Sequence, residues 1–274
     1  MAKTRALSLC VIGALALALA AGCSRKPGAA TTQAQVAGPA AKGKVLRLVS
    51  PVEPKTLDPA LVIDGPSIQV IMHVMDGLVQ WDSNHQVVPS VAEGWDVSPD
   101  GCTYTFHLRE GVRFHNGRAV TAADFAYSLN RALATPASTV APLYLDDIVG
   151  AKEVIAGKAK EAKGVEAVDE RTLRITIDAP KAYFLAKLTY PTAYVVCKEA
   201  IEAGGRDWTE ARAGRPNHYV GCGPFKLVEW QHGAKVVLAA NDDYWGGRPK
   251  LDGIELPVVE DAGTRQLKYE SGEA

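Results

Sequence analysis

Residues 102–133 constrain the fold more than any other part of the chain. Apolar and polar side chains alternate at the start of this segment, which predicts an antiparallel strand with one buried face and one solvated face. The apolar set is Cys102, Tyr104, Phe106 and Leu108. Asn116-Gly117 then predicts a hairpin turn. Thr121 followed by Asp124 resembles a capping box, and the apolar spacing behind it predicts a helix over residues 121–133.

Shorter patterns of both kinds lie on either side of this segment. Period-two alternation predicts strands at residues 45–50, 173–177, 225–230 and 235–239. Helical spacing predicts a helix that begins near Ser67 and another at 264–270. The predicted buried stripe of the first helix is Ile68, Ile71, Met72 and Met75. Because strands and helices mingle without a regular βαβ order, we expect a mixed α/β (α+β) fold.

The amino terminus has the features of a secretory signal. Lys3 and Arg5 precede an apolar run over residues 6–20, which has the length of a signal core and is short for a membrane span. The run ends in Leu-Ala-Ala-Gly-Cys23, which resembles the bacterial lipobox, although Ala20 stands where Leu is more usual. We therefore expect a signal peptide at 1–22 and lipidation of Cys23. The alternative is an ordinary secreted protein with a free Cys23.

The segment 23–43 lacks periodicity and large apolar side chains, so it cannot bury enough surface to offset the entropy of ordering it. We interpret it as a flexible tether. Together with the lipidated cysteine, it predicts a protein of the periplasm or cell surface that is anchored to a membrane by lipid.

Charge and motifs exclude several classes of function. The chain has 30 Lys and Arg against 31 Asp and Glu, with no basic run, so nucleic acid is not an expected partner. The six histidines lack metal-ligand spacing, and no nucleophile elbow or phosphate loop is present. The Gly221-Cys222-Gly223 stretch meets Pro224 instead of a helix start. We interpret His115 and the Asp146-Asp147 pair as turn residues, and expect no catalytic residues, no metal and no cofactor.

Export would leave Cys102, Cys197 and Cys222 in an oxidising compartment. Their number is odd, so one thiol should stay free. A disulfide between Cys197 and Cys222 is our expectation, because both lie at the edges of strand-like segments. Three buried, reduced cysteines are the alternative.

Four blocks of sequence resemble the peptide/nickel type of extracellular solute-binding protein, the family that includes oligopeptide- and dipeptide-binding proteins of ABC importers. The blocks are EPKTLDP at 53–59, the run from VPSVAEGW to AYSLNR at 88–131, VGCGPFKLVEW at 220–230 and NDDYWGGRPKLDGIEL at 241–256. Small departures are Val91, Gly94 and Cys222, where the family more often has Leu, Ser and Thr.

The resemblance implies a two-lobed protein that closes on an extended peptide and delivers it to an ABC permease. It predicts a first lobe at 44–75 plus 198–269, with a smaller strand-rich domain inserted at 76–197. Family members continue well beyond a helix like 264–270, so we expect this chain to be the amino-terminal portion, with 270–274 beginning a second large lobe that is largely missing. Such a portion should bind peptide weakly by itself.

By position, the first lobe's contribution to a peptide is the loop of Ile63, Asp64 and Gly65. A surface loop without ligand contacts is the alternative, since a Gly-Pro turn needs no ligand to explain it. We expect a monomer. Other ligands open to the same fold are nickel complexes, haem and sugars. A sensor or docking module that no longer serves transport, and a secreted hydrolase, are the remaining alternatives.

Overall fold

Two four-stranded sheets, each packed against a helix, organise the part of the chain that the computed structural model describes, residues 43–212 and 214–273. The predicted signal peptide, Cys23 and the tether up to residue 42 lie outside the described residues. The strands are β1 (Val45–Arg47), β2 (Val79–Trp81), β3 (Val87–Pro89), β4 (Ala92–Val97), β5 (Thr103–Leu108), β6 (Val165–Ala167), β7 (Thr172–Thr176), β8 (Phe225–Gln231), β9 (Lys235–Ala240) and β10 (Gly253–Pro257). The helices are α1 (Gly65–Val74), α2 (Ala122–Ala134), α3 (Ala141–Tyr144), α4 (Ala151–Ile155), α5 (Phe184–Lys187), α6 (Lys198–Gly204) and α7 (Ala262–Glu270).

The first sheet has the order β1-β10-β9-β8 and joins the two ends of the described chain. β1 pairs in parallel with β10, while β10, β9 and β8 are antiparallel. Helix α1 packs on β8, and its inner side chains share an apolar core with Leu227, Leu238 and Ile254 of this sheet.

The second sheet has the order β4-β5-β7-β6 and is antiparallel throughout. Helix α2 lies across β6 and β7, with Phe125 and Leu129 fully buried against the sheet. A short antiparallel pair, β2 and β3, precedes this sheet in the chain. The mixed α/β fold predicted from the sequence is confirmed.

Local patterns correctly predicted the elements of the central segment. Along β5, Tyr104, Phe106 and Leu108 are buried while the intervening residues are half-exposed. Gly117 turns the chain with a positive φ of 87°, and its N–H donates to the Phe114 carbonyl at 2.8 Å. At the start of α2, the Asp124 carboxylate accepts the N–H and the hydroxyl of Thr121, both at 2.9 Å. The predicted strand, hairpin turn and capped helix are therefore all present.

The buried face of α1 differs from the predicted stripe. Ile71 and Met75 are buried as expected, but Met72 is 46% exposed. Ser67 faces inward instead, because its hydroxyl oxygen accepts the N–H groups of Lys55 at 2.9 Å and Thr56 at 3.2 Å. Turning Ser67 inward rotates Met72 toward solvent and brings Val70 and Val74 into the core.

The described residues belong to one compact unit. Two apolar cores lie within it, one built on each sheet, and each takes side chains from both predicted regions. Tyr194 and Val196 lie in the core of α1 and the first sheet, whereas Ala60 and Cys222 lie in the core of the second sheet. The division into 44–75 plus 198–269 and 76–197 stays a prediction about domain boundaries.

The Gly221-Cys222-Gly223 stretch passes directly against the end of α1. The Gly223 N–H donates to the Val74 carbonyl at 2.9 Å. A Cβ on Gly221 would collide with the Val74 carbonyl oxygen and lie 2.8 Å from its carbon, and one on Gly223 would lie 2.7 Å from that carbon. Both glycines are therefore required by the close approach of two backbones. We name this contact between 74–76 and 221–223 the glycine crossing.

His115 lies in the turn predicted from the sequence, and its ring is buried against the glycine crossing. Its Nδ1 accepts the Gly221 N–H at 3.3 Å and its Nε2 donates to the Gly223 carbonyl at 3.0 Å. Burial lowers the pKa of His115 to about 4, so the ring stays neutral at physiological pH and can make this donor and acceptor pair.

The predicted disulfide between Cys197 and Cys222 is not formed, and all three cysteines of the described residues are free. Cys197 and Cys222 are buried, as in the alternative, whereas Cys102 is only half-buried. The Cys197 thiol lies among polar partners, 3.4 Å from Glu199 Oε2 and 3.6 Å from Asn116 Nδ2. Cys222 is fully buried between the two crossing glycines, where burial raises the pKa of its thiol. The prediction failed because strand-edge position says nothing about the direction in which a thiol points.

We predict that Gly221→Ala lowers the free energy of unfolding by about 3 kcal/mol, because the added methyl group displaces the Val74 carbonyl and strains the glycine crossing. Urea denaturation of residues 24–274, followed by tryptophan fluorescence, measures the change. Gly94→Ala is the matched control, since a Cβ at Gly94 meets nothing within 4 Å. Equal urea midpoints for the two variants would contradict the requirement for glycine at 221.

Candidate functional site

The loop of Ile63, Asp64 and Gly65 leads into the first turn of α1. Asp64 is the N-cap of this helix: its Oδ1 accepts the Ser67 N–H at 3.0 Å and its Oδ2 accepts the Ser67 hydroxyl at 2.8 Å. Its carboxylate therefore has a structural task. We name residues 63–65 the α1 entry loop.

The α1 entry loop presents its backbone to solvent. Ile63 is 60% exposed, and within the described ranges the N–H groups of Ile63 and Asp64 donate to no other residue. The Gly65 N–H is one of the first-turn groups that have no acceptor inside a helix. A Cβ on Gly65 would meet nothing within 4 Å, so the space beside the loop is open. Three successive N–H groups are thus available to an incoming acceptor.

Three side chains from distant parts of the chain hold the segment that leads to this loop. Tyr219 donates its hydroxyl to the Leu57 carbonyl at 2.8 Å, and Tyr190 donates its own to the Val62 carbonyl at 2.9 Å. Between these two contacts, Arg131 forms a bidentate ion pair with Asp58. Its Nη1 donates to Oδ1 at 2.9 Å and its Nη2 donates to Oδ2 at 2.5 Å. The segment that leads to the loop is therefore held by three long-range side-chain contacts.

The Arg131 and Asp58 pair is mostly shielded from water. The two side chains are 18% and 10% exposed, and Asp58 Oδ1 also accepts the Ala60 N–H at 2.9 Å. Burial disfavours the charge on Arg131, but hydrogen bonds and attraction from the Asp58 carboxylate outweigh it and raise the pKa of the guanidinium. The guanidinium also lies 5.3 Å from the centre of the Trp208 ring. The guanidinium therefore stays charged over the physiological pH range.

Two other buried ionisable groups were candidates for chemistry, and both have structural partners. Burial raises the pKa of the Asp76 carboxyl to about 6, but its Oδ2 accepts the Trp245 Nε1–H at 2.9 Å. Asp147 is buried instead of lying in a solvated turn, and its carboxylate binds Lys181 and Lys187. A perturbed pKa often marks an active site. Here each carboxylate connects segments that are distant in sequence.

The described residues contain no group of three or more His, Cys, Asp or Glu side chains placed to hold a metal ion. Among the helices that the structure describes, none combines the length and apolarity needed to cross a bilayer.

Resemblance drew attention to the α1 entry loop, whose ligand-binding role stays a prediction, but the sequence missed the residues that hold the segment before it. Asp58 and Arg131 both lie in blocks that carry the family resemblance, so their pairing could have been suspected. Tyr190 and Tyr219 gave no such signal, because their hydroxyls reach carbonyls that are 128 and 162 residues away in the chain.

We predict that Arg131→Met lowers the free energy of unfolding by about 3 kcal/mol, because it leaves the shielded Asp58 carboxylate without a partner. The amides of Ala60 and Leu61 should also exchange hydrogen faster, which exchange mass spectrometry measures. Arg174→Met is the matched control, since it breaks an exposed 2.8 Å pair with Glu166 and should cost only about 0.5 kcal/mol. Unchanged exchange at Ala60 and Leu61 would show that the ion pair does not hold this segment.

Comparisons with known proteins identify the family. Residues 86–274 match the family model described as bacterial extracellular solute-binding proteins, family 5 Middle. The chain is 35% identical over 233 residues to the dipeptide-binding protein DppE of Bacillus subtilis, covering 84% of this chain and 42% of DppE. It is 30% identical over 277 residues to the heme-binding protein A of Haemophilus influenzae, covering 95% of this chain and 48% of that protein.

The fold is also similar to that of a solved structure. The substrate-binding domain of an oligopeptide ABC transporter from Bacillus anthracis matches with a TM-score of 0.79 and 30% identity, over 86% of this chain and 45% of that one. The chain thus spans less than half the length of these relatives. It belongs to family 5 of the bacterial extracellular solute-binding proteins.

Proposed function

We propose that this protein captures peptides outside the cytoplasmic membrane and delivers them to an ABC permease. Membership of the solute-binding family supports a binding role, not a catalytic one. The peptide-binding relatives support peptide as the ligand. The observation that carries the proposal furthest is the α1 entry loop, an exposed stretch of backbone with free N–H groups and a rigid support behind it.

In this proposal the loop recognises peptide backbone. Carbonyl oxygens of an extended peptide accept the N–H groups of Ile63 and Asp64, as when a strand is added to a sheet edge. The Val62 carbonyl is engaged by the Tyr190 hydroxyl, so the loop offers mainly donors. Because every peptide carries the same carbonyl groups, this contact tolerates many sequences.

The chain spans 42% of DppE and 48% of the heme-binding protein A, so capture of a peptide between two lobes is a proposal about the whole protein. A peptide lying on one lobe alone would keep much of its surface in water and would gain little from burial. We therefore expect residues 24–274 to bind peptide much more weakly than a protein that also contains a second lobe. Hinge closure would then bury the ligand, and a monomer would be the functional unit.

We predict that Ile63→Pro in the mature protein, including any second lobe, weakens binding of tetra-alanine by at least about tenfold. Proline removes the N–H of residue 63, and a hydrogen bond left unmade in a closed site costs about 1–3 kcal/mol. Isothermal titration calorimetry measures the affinity, and circular dichroism verifies that the variant is folded.

Ile63→Ala is the matched control for this variant, because it removes the exposed side chain and keeps the N–H. Its affinity for tetra-alanine should stay within about threefold of the original. Equal effects of proline and alanine would contradict backbone recognition. A folded wild-type protein that binds no peptide would overturn the proposed function.

Haem is the second candidate ligand. It is favoured by the similarity to the heme-binding protein A of Haemophilus influenzae, which extends over 95% of this chain. A haemin titration of the same preparation distinguishes the two ligands. Saturable haemin binding with a shifted Soret band, together with no heat from peptides, would favour haem.

We also propose export and lipid anchoring through Cys23, on the basis of the apolar run and the lipobox-like sequence before it. The protein expressed in a bacterial host should partition into the detergent phase of a Triton X-114 extract. Cys23→Ala should abolish this partition, whereas Cys10→Ala, which alters a cysteine inside the predicted signal, should leave it intact. Partition of the Cys23→Ala variant into detergent would contradict the anchor.

A further inference from the structure

Tyr190, the residue that holds the α1 entry loop, is paired with a second tyrosine. The rings of Tyr144 and Tyr190 stack with their centres 4.0 Å apart and their planes 11° from parallel. Both residues are only half-buried. Tyr144 ends the short helix α3, and Tyr190 precedes a 3₁₀ turn at Pro191–Ala193 that contacts α3. We name Tyr144 and Tyr190 the tyrosine pair.

The tyrosine pair also connects the two cores. Tyr144 packs against the core of the second sheet, while Tyr190 packs against the core of α1 and the first sheet. A ring contact that served only to stabilise the fold would be expected to be buried, because stacked rings contribute most stability where water is excluded. The half-exposure of both rings leaves aromatic surface available to another molecule.

The tyrosine pair adjoins the α1 entry loop through Tyr190. The Tyr190 hydroxyl touches the Val62 carbonyl, and the next residue, Ile63, is 60% exposed. A peptide whose backbone lies on the Ile63 and Asp64 N–H groups would therefore place one side chain beside the tyrosine pair. Successive side chains of an extended peptide alternate in direction, so only one position of the peptide should be affected.

We propose that the tyrosine pair, with Ile63, is a specificity-determining surface that prefers an aromatic or aliphatic side chain at one position of the bound peptide. This inference rests on the proposed peptide-binding function and gives it a substrate class. Aromatic rings favour offset or edge contacts with another ring or an aliphatic chain. The Asp64 carboxylate, which lies close enough to Tyr190 to affect its ionisation, disfavours an acidic side chain at the same position.

The two tyrosines have separable roles in this proposal. Tyr190 positions the loop through its hydroxyl, so its removal should weaken every peptide alike. Tyr144 acts through its ring alone, so its removal should weaken only peptides that carry the preferred side chain. A merely structural role for Tyr144 would change the stability of the protein without changing the ranking of peptides.

The test uses the mature protein, including any second lobe, and a set of tetra-alanine peptides in which Phe, Leu or Asp replaces each alanine in turn. Calorimetry measures the affinity of each peptide. We expect Phe or Leu at one position to bind about three to ten times more tightly than Ala, and Asp at that position to bind more weakly than Ala. Tyr144→Ala should remove this preference, so that the Phe, Leu and Ala peptides bind with affinities within about twofold of one another.

Tyr190→Phe keeps the ring and removes the hydroxyl. It should weaken all the peptides by about fivefold and keep the preference for Phe or Leu. Tyr127→Phe is the matched control, because it removes a hydroxyl from α2 and should change neither affinity nor ranking. Thermal unfolding of each variant verifies that the fold is retained.

Three outcomes overturn the inference. Wild-type protein that binds all the peptides equally would refute the preference while leaving the proposed function standing. A preference that survives in Tyr144→Ala would assign it to other residues. Wild-type protein that binds none of the peptides would overturn the inference together with the proposed function.

Discussion

The glycine crossing is the contact on which the arrangement of the two sheets depends. Val74 ends α1, and its carbonyl accepts the N–H of Gly223, just before β8 of the first sheet. His115, which follows the second sheet's strand β5 in the chain, binds both Gly221 and Gly223. One backbone contact thus joins α1, the start of β8 and the loop after β5. The contact requires both glycines, because a Cβ on either Gly221 or Gly223 would collide with the backbone of Val74.

The crossing also fixes the position of the candidate site. Helix α1 has ten residues and a length of about 15 Å, so it is a stiff connection between the crossing and the loop at its other end. Its carboxyl end is held by Gly223, and its amino end is capped by Asp64. The loop is fixed independently by Tyr190 and by the Arg131 and Asp58 pair. Because the loop is already held in place, less conformational entropy is lost in ordering it when a ligand binds.

The sequence predicted those parts of the fold that depend on neighbours in the chain. The strand β5, the turn at Gly117 and the cap of α2 are set by residues within a few positions of one another, and all three were correct. The buried face of α1 was partly wrong, because it depends on N–H groups of Lys55 and Thr56 that bind Ser67. His115 and Asp147 lie in turns as predicted, but their burial was missed for the same reason, since their partners lie far away in the sequence. Local patterns cannot reveal a partner that only the fold brings close.

The same limit explains what the sequence could say about the candidate site. Resemblance pointed to the loop, because the LDP motif that precedes it is local. The supporting residues come from α2, from the segment before Pro191 and from the segment before the crossing, and only the fold brings them together.

The chemistry of these supporting residues has a common feature: two of the three donate hydroxyl groups to backbone carbonyls, so they hold the chain without presenting a charge to a ligand. The one charged anchor is neutralised by Asp58. A surface built in this way attracts a ligand by hydrogen bonding and apolar contact, while the Asp64 carboxylate in the loop disfavours an acidic side chain beside it. In the proposed binding mode, selectivity comes from side chains around the loop, which include Ile63, Tyr190 and the Tyr144 ring stacked on it.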